Sequence, residues 1–141
     1  MQEGARKSNV RERIKEVIPS SILVERSLVL KTEGNQYFSA DEYCPALPFY
    51  SEAIEMLEGT GEDAALATIL CNRSLAFLKL GESASALADA ERARALGGVK
   101  AHFRRAEALS SLWRFEEALE AYEDALVNAV SHCAASTLCS Q

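Results

Sequence analysis

Glycine and proline are scarce in this chain, at 7 and 3 of 141 residues, which excludes an all-β fold built on many tight turns. Histidine occurs only as His102 and His132, and neither stands at zinc-ligand spacing from Cys44, Cys71, Cys133 or Cys139. No two cysteines form a C-x-x-C pair, so no metal or other cofactor is expected. The cysteines read as thiols of a reducing compartment, the cytoplasm, with the nucleus also open. Long apolar runs are missing as well. Ser21–Val24 and Ser27–Leu30 are divided by Glu25 and Arg26, far short of a bilayer span, and residues 1–17 carry charges where a secretion signal needs an apolar stretch. A basic excess is absent: 15 Lys plus Arg against 21 Asp plus Glu leave a net charge of −6, which disfavours nucleic acid or an acidic membrane as the partner. Catalytic signatures are absent too, with no Gly-rich phosphate loop, H-E-x-x-H, G-x-S-x-G or His–carboxylate pair. His102 falls at a packing position, and Cys71 is a lone thiol on a helix, where packing is the commoner role. The chain reads as a binding protein without enzymatic activity.

What is present favours helix. Hydrophobic residues make up 48% and charged residues 26%, ordinary for a globular chain, and 141 residues suit one domain. Ala, Leu, Glu, Arg and Ser dominate after residue 50. Val10, Ile14, Val17 and Ile18 fall at helical spacing until Pro19 stops the pattern, which predicts a helical or partly disordered leader over 1–20. Ser20 and Ser21 stand where they can cap a helix predicted over Ile22–Phe38. Further helices are predicted over Tyr43–Leu57, Ala64–Leu80, Ala84–Leu96, Val99–Leu112 and Phe115–Ala129. Pro45 and Pro48 constrain the first of these. It should begin near Cys44, so that Pro45 opens it and Pro48 falls where the amide is still unpaired. Residues 131–141 lack a sustained period and read as an irregular tail.

Helix pairs at a near-constant step call for a repeat test. Aligning Gly34, Ser74 and Ala106 puts Ala46, Ala86 and Ala118 twelve residues on. Tyr50, Ala90 and Tyr122 follow four residues later, and Ala53, Ala93 and Ala125 three beyond those. Small residues recur where two helices approach closely, and Tyr or Ala where the next hairpin packs. This pattern resembles the tetratricopeptide repeat, a helix–turn–helix unit of about 34 residues. The resemblance covers about residues 27–130. Its steps are uneven, 40 residues from Gly34 to Ser74 and 32 from Ser74 to Ala106, and the proline that commonly ends each repeat is missing. The resemblance implies an all-α fold in a domain over 21–130, with repeats at about 27–60, 67–98 and 99–130. These would stack as a right-handed superhelical solenoid with a concave peptide-binding groove lined by the first helix of each pair.

Polar residues on those first helices form a pattern of their own. Lys31 and Asn35 are four apart, Asn72 and Lys79 seven apart, and Lys100 and Arg104 four apart, so each pair shares a helix face. Lys supplies point charge, Arg a two-pronged donor and Asn an amide donor, a set suited to an anion. The strings LKTEGNQYF, CNRSLAFLKLG and VKAHFRRAEAL resemble the first helices of the dicarboxylate-clamp class of tetratricopeptide co-chaperones. That class binds the C-terminal Glu-Glu-Val-Asp tails of the cytosolic seventy- and ninety-kilodalton heat-shock chaperones. The resemblance implies that Lys31, Asn35, Asn72, Lys100 and Arg104 grip the tail's carboxylates, and that Lys79 adds a basic contact. Phe38, Leu75 and Ala76, one turn from the asparagines, are candidates for the wall that takes the tail's valine. The implied function is a co-chaperone adaptor. The alternative is a tetratricopeptide scaffold that holds an internal or acidic segment of a non-chaperone partner. No capping helix is evident after Ala129, which leaves self-association through an uncapped C-terminal helix open.

Overall fold

The computed structural model describes residue 10 and residues 12–139. Residues 12–17 form a short helix, α1. It is followed by α2 (Ser20–Ser39), α3 (Tyr43–Leu57), α4 (Asp63–Lys79), α5 (Ser83–Ala95), α6 (Val99–Ser111) and α7 (Phe115–Cys139). No strand occurs among the described residues. Helices pair as α2 with α3, α4 with α5 and α6 with α7, while α3 on α4 and α5 on α6 join the hairpins. Helix α4 also touches both α2 and α6, so the first helices of the hairpins lie side by side.

Each hairpin turns by the same device. Asp41, Gly81 and Trp113 adopt left-handed φ values of 61°, 80° and 64° just past the first helix. The next residue's amide then reaches back to the helix: Glu42 N–H to Tyr37 O at 2.9 Å, Glu82 to Phe77 at 2.9 Å and Arg114 to Leu109 at 3.0 Å. These are Schellman closures, which satisfy carbonyls that the helix end leaves over. Only one of the three uses glycine, so the turn is visible in the sequence at Gly81 and hidden at Asp41 and Trp113.

The aligned small residues lie inside the hairpins. Gly34, Ser74, Ala106, Ala46, Ala86, Ala118, Ala53, Ala93 and Ala125 are all buried. The Ser74 hydroxyl donates to Ala86 O at 2.8 Å, which satisfies it within the core. Asp89, the one buried charged residue among the described residues, takes a fork from Arg73 at 2.6 and 2.7 Å. Arg73 Nη1 also donates to Ser51 Oγ at 3.1 Å, so one guanidinium ties α3, α4 and α5 together.

Several local expectations are corrected. Pro19, rather than a serine, stands at the N-cap of α2, with no side-chain cap. Helix α3 starts at Tyr43, so Pro48 lies inside it and leaves the carbonyl of Cys44 without its amide. Helix α7 runs on to Cys139 where an irregular tail is expected. Residues 130–139 contain no glycine or proline, and Ala134, Ala135 and Leu138 are good helix formers, so nothing local stops the helix. The expected leader and tail extend to residues 1–9, 11, 140 and 141, outside the described residues.

Candidate functional site

Two amides meet where α2 and α4 run side by side. Asn72 Nδ2 donates to Asn35 Oδ1 at 3.3 Å, and the Tyr50 hydroxyl from α3 donates to the same oxygen at 2.6 Å. Two donors on Oδ1 fix the orientation of the Asn35 amide and leave its Nδ2 as an uncommitted donor. Tyr50 gets that close because residue 34 has no side chain: a Cβ on Gly34 would stand 2.8 Å from Tyr50 Cε1. The Tyr50 ring is only 1% exposed, and burial pushes its hydroxyl above the ordinary tyrosine range, which keeps it a donor.

Lys100, exposed in the first turn of α6, lines a cavity of about 310 Å³ together with Asn72, Thr68 and Cys71. Burial pushes the Cys71 thiol up, and the positive charges of Arg104 and Lys100 pull it the other way. Both cations therefore act on one atom beside Asn72. Arg104 Nη1 donates to Glu107 at 2.8 Å, while its Nε lies out of solvent with no partner. Lys31 is half-buried one turn before Asn35 and hydrogen-bonds none of the other four. Arg73, Arg92, Arg94, Arg105 and Arg114 differ from Lys31 and Lys100 in being tied to carboxylates of the chain.

The residues proposed to flank this set divide. The Phe38 ring is half-buried and meets Tyr43 edge-on at 5.0 Å. Leu75 is half-buried on α4, and Lys79 is exposed in its last turn. Ala76 is fully buried in the core, which removes it from any groove wall. Helix α4 is packed by α2, α3, α5 and α6, so the 100° step from Leu75 to Ala76 turns the side chain inward. Tyr50, which orients Asn35, escapes a reading of single-helix spacing, whereas Glu107, which holds Arg104, does not. Tyr50 sits on a second helix, and its repeat position gives only a packing role. Glu107 was visible as an i+3 neighbour of Arg104.

Three helical hairpins with small residues buried in one register define a tetratricopeptide solenoid. The chain is 38% identical over 125 residues to serine/threonine-protein phosphatase 5 of Mus musculus, spanning 87% of this chain and 24% of that protein. Among solved structures it matches the Arabidopsis OM64 TPR domain at 34% identity and a TM-score of 0.67, over 75% of this chain and 84% of that one. It matches the first TPR of Spaghetti (RPAP3), bound to the HSP90 peptide SRMEEVD, at 31% identity and a TM-score of 0.66, over 74% and 82% of the two chains. The chain belongs to the tetratricopeptide-repeat family. No model of a known family matches it in a family scan. It spans about a quarter of the length of the phosphatase it resembles.

Proposed function

We propose that the chain is a non-catalytic co-chaperone adaptor module. It binds the C-terminal Glu-Glu-Val-Asp tail of cytosolic seventy- or ninety-kilodalton heat-shock chaperones, and so acts in the cytoplasm. The observation that carries this reading is the Asn35–Asn72 contact beside the Lys100-lined cavity. The likeness to an RPAP3 repeat domain bound to an HSP90 peptide supports it. A terminal aspartate presents two carboxylates within one residue. In this reading Lys31, Lys100 and Arg104 meet that charge, and the uncommitted Asn35 Nδ2 and Asn72 hold the backbone end. The Nε–Nη2 edge of Arg104, opposite the Nη1 held by Glu107, is the edge that grips a carboxylate in a fork. Phe38, Leu75 and Lys79 extend the contact along the tail. Charge-assisted bonds of about 1.5–3 kcal/mol each, less the cost of ordering an extended tail, lead to a micromolar Kd, about 8 kcal/mol.

Calorimetric titration with a peptide ending Glu-Glu-Val-Asp tests this. The free acid should bind with micromolar Kd, and Lys100→Ala and Arg104→Ala should each weaken it about tenfold or more while leaving the thermal midpoint unchanged. Binding should fall with salt and vanish for the C-terminal amide. Equal affinity for acid and amide removes the clamp. Failure of the native chain to bind the acid favours the scaffold that holds an internal or acidic segment of another partner.

A further inference from the structure

Helix α7 carries an apolar stripe that no other described residue covers. Phe115, Leu119, Leu126, Val127 and Val130 are 58–68% exposed, and Trp113, 80% exposed, lies edge-on to Phe115 at its end. Repeat register shows what such positions normally do. The alignment of Ala46 with Ala118 also aligns Leu47, Tyr50 and Ile54 of α3 with Leu119, Tyr122 and Leu126 of α7. In α3 these three are packed into the core, Tyr50 against Gly34 of α2, and α4 lies against the same helix. In α7 the same three positions face solvent. The stripe is therefore shaped for one more helix.

The rest of α7 defines the charge of that helix. Glu116, Glu117, Glu120, Glu123 and Asp124 lie alongside the stripe, and α7 contains no Lys or Arg. A second exposed stripe of suitable spacing occurs at the other end of the stack. Val10, Ile14 and Val17 of the leader are 55%, 47% and 82% exposed, at the i, i+4, i+7 spacing of a docking helix. Residues 1–18 hold five Lys and Arg against three Glu, a basic segment in an acidic chain. The two stripes of one copy are held apart. Lys15 Nζ donates to Glu58 O of the first hairpin at 3.2 Å, whereas α7 belongs to the third.

We infer that α7 is the docking face for the basic leader segment, residues 1–18, of a second copy of this chain. The contact is head-to-tail, leader to α7, and each added copy leaves one free leader and one free α7. Such a heterologous contact grows into chains or closes into a ring. It is independent of the proposed peptide site, since it uses neither Asn35 nor Asn72.

Light scattering on the full chain over a dilution series tests the contact. The native mass should rise above that of a monomer as concentration increases. Ile14→Glu keeps α7 and spoils the leader, and Leu126→Glu does the reverse, so each alone should stay monomeric. An equimolar mixture of the two retains one good leader and one good α7, and should form dimers and nothing larger. Val17→Glu and Leu119→Glu form a second such pair, and all four positions are exposed, so circular dichroism should show native helix throughout. A native chain that stays monomeric at its highest concentration overturns the inference. So does Ile14→Glu that still associates, because the contact would then join α7 to α7.

Discussion

Replacing Gly34 with alanine sets two effects of opposite sign against each other. In an open helix, glycine to alanine gains about 1 kcal/mol by propensity. Here the new methyl would stand 2.8 Å from Tyr50 Cε1, closer than such atoms approach, and the ring is fully enclosed. The ring cannot swing into solvent, so α2 and α3 must separate, an overpacking cost of about 1–3 kcal/mol. The net expectation is a loss of about 0–2 kcal/mol, where simple propensity gives a gain. The displacement also pulls the Tyr50 hydroxyl from its 2.6 Å bond to Asn35, worth about 1 kcal/mol, and frees the amide to rotate. Affinity for a Glu-Glu-Val-Asp peptide should then drop about fivefold. Tyr50→Phe, which keeps the ring and deletes the hydroxyl, should lower affinity by a similar factor. Urea unfolding followed by circular dichroism and peptide calorimetry read the two effects separately. A Gly34→Ala chain that gains about 1 kcal/mol and binds peptide as the native chain does would refute both the packing and the positioning argument.

Asp89→Ala should destabilise the fold by about 3–5 kcal/mol in urea, because it leaves the Arg73 guanidinium largely buried without its carboxylate. A loss below about 1 kcal/mol would mean that the fork tying three helices together is structurally idle. Glu91 makes a prediction about acid. Partial burial pushes its carboxyl up, but the hydrogen bond and charge of Arg105, joined by Arg94, outweigh this and hold it below the ordinary glutamate range. A carboxyl depressed by folding contributes stability above its unfolded pKa of about 4.3, and that contribution is lost as pH falls through the folded value. Glu91→Gln should therefore lower the urea midpoint at neutral pH and differ less from the native chain in acid. A difference that does not change with pH contradicts the ion pair's role.

How far the fold could be read from the sequence varies by element. Each of the helices from α2 to α6 lies within two residues of its expected bounds, because apolar period and Gly or Ser breaks are local signals. The end of α7 was missed because a helix with no stop signal and a loop of small residues look alike until packing is known. In the candidate site, Asn35, Asn72, Lys100 and Arg104 could be picked out by spacing along single helices. The Asn35–Asn72 bond and the shared influence of Lys100 and Arg104 on Cys71 required neighbouring helices at their real separation.

By itself the sequence determined three helical hairpins and their register, since 3.6-residue periodicity and the recurrence of small residues are properties of the chain alone. Only the tertiary structure decided which side of each helix remains open. It buried Ala76, brought Tyr50 beneath Asn35 and left the α7 stripe bare. The physical reason is that periodicity gives a side chain's angle about its own axis, whereas exposure depends on how many neighbouring helices press against that axis.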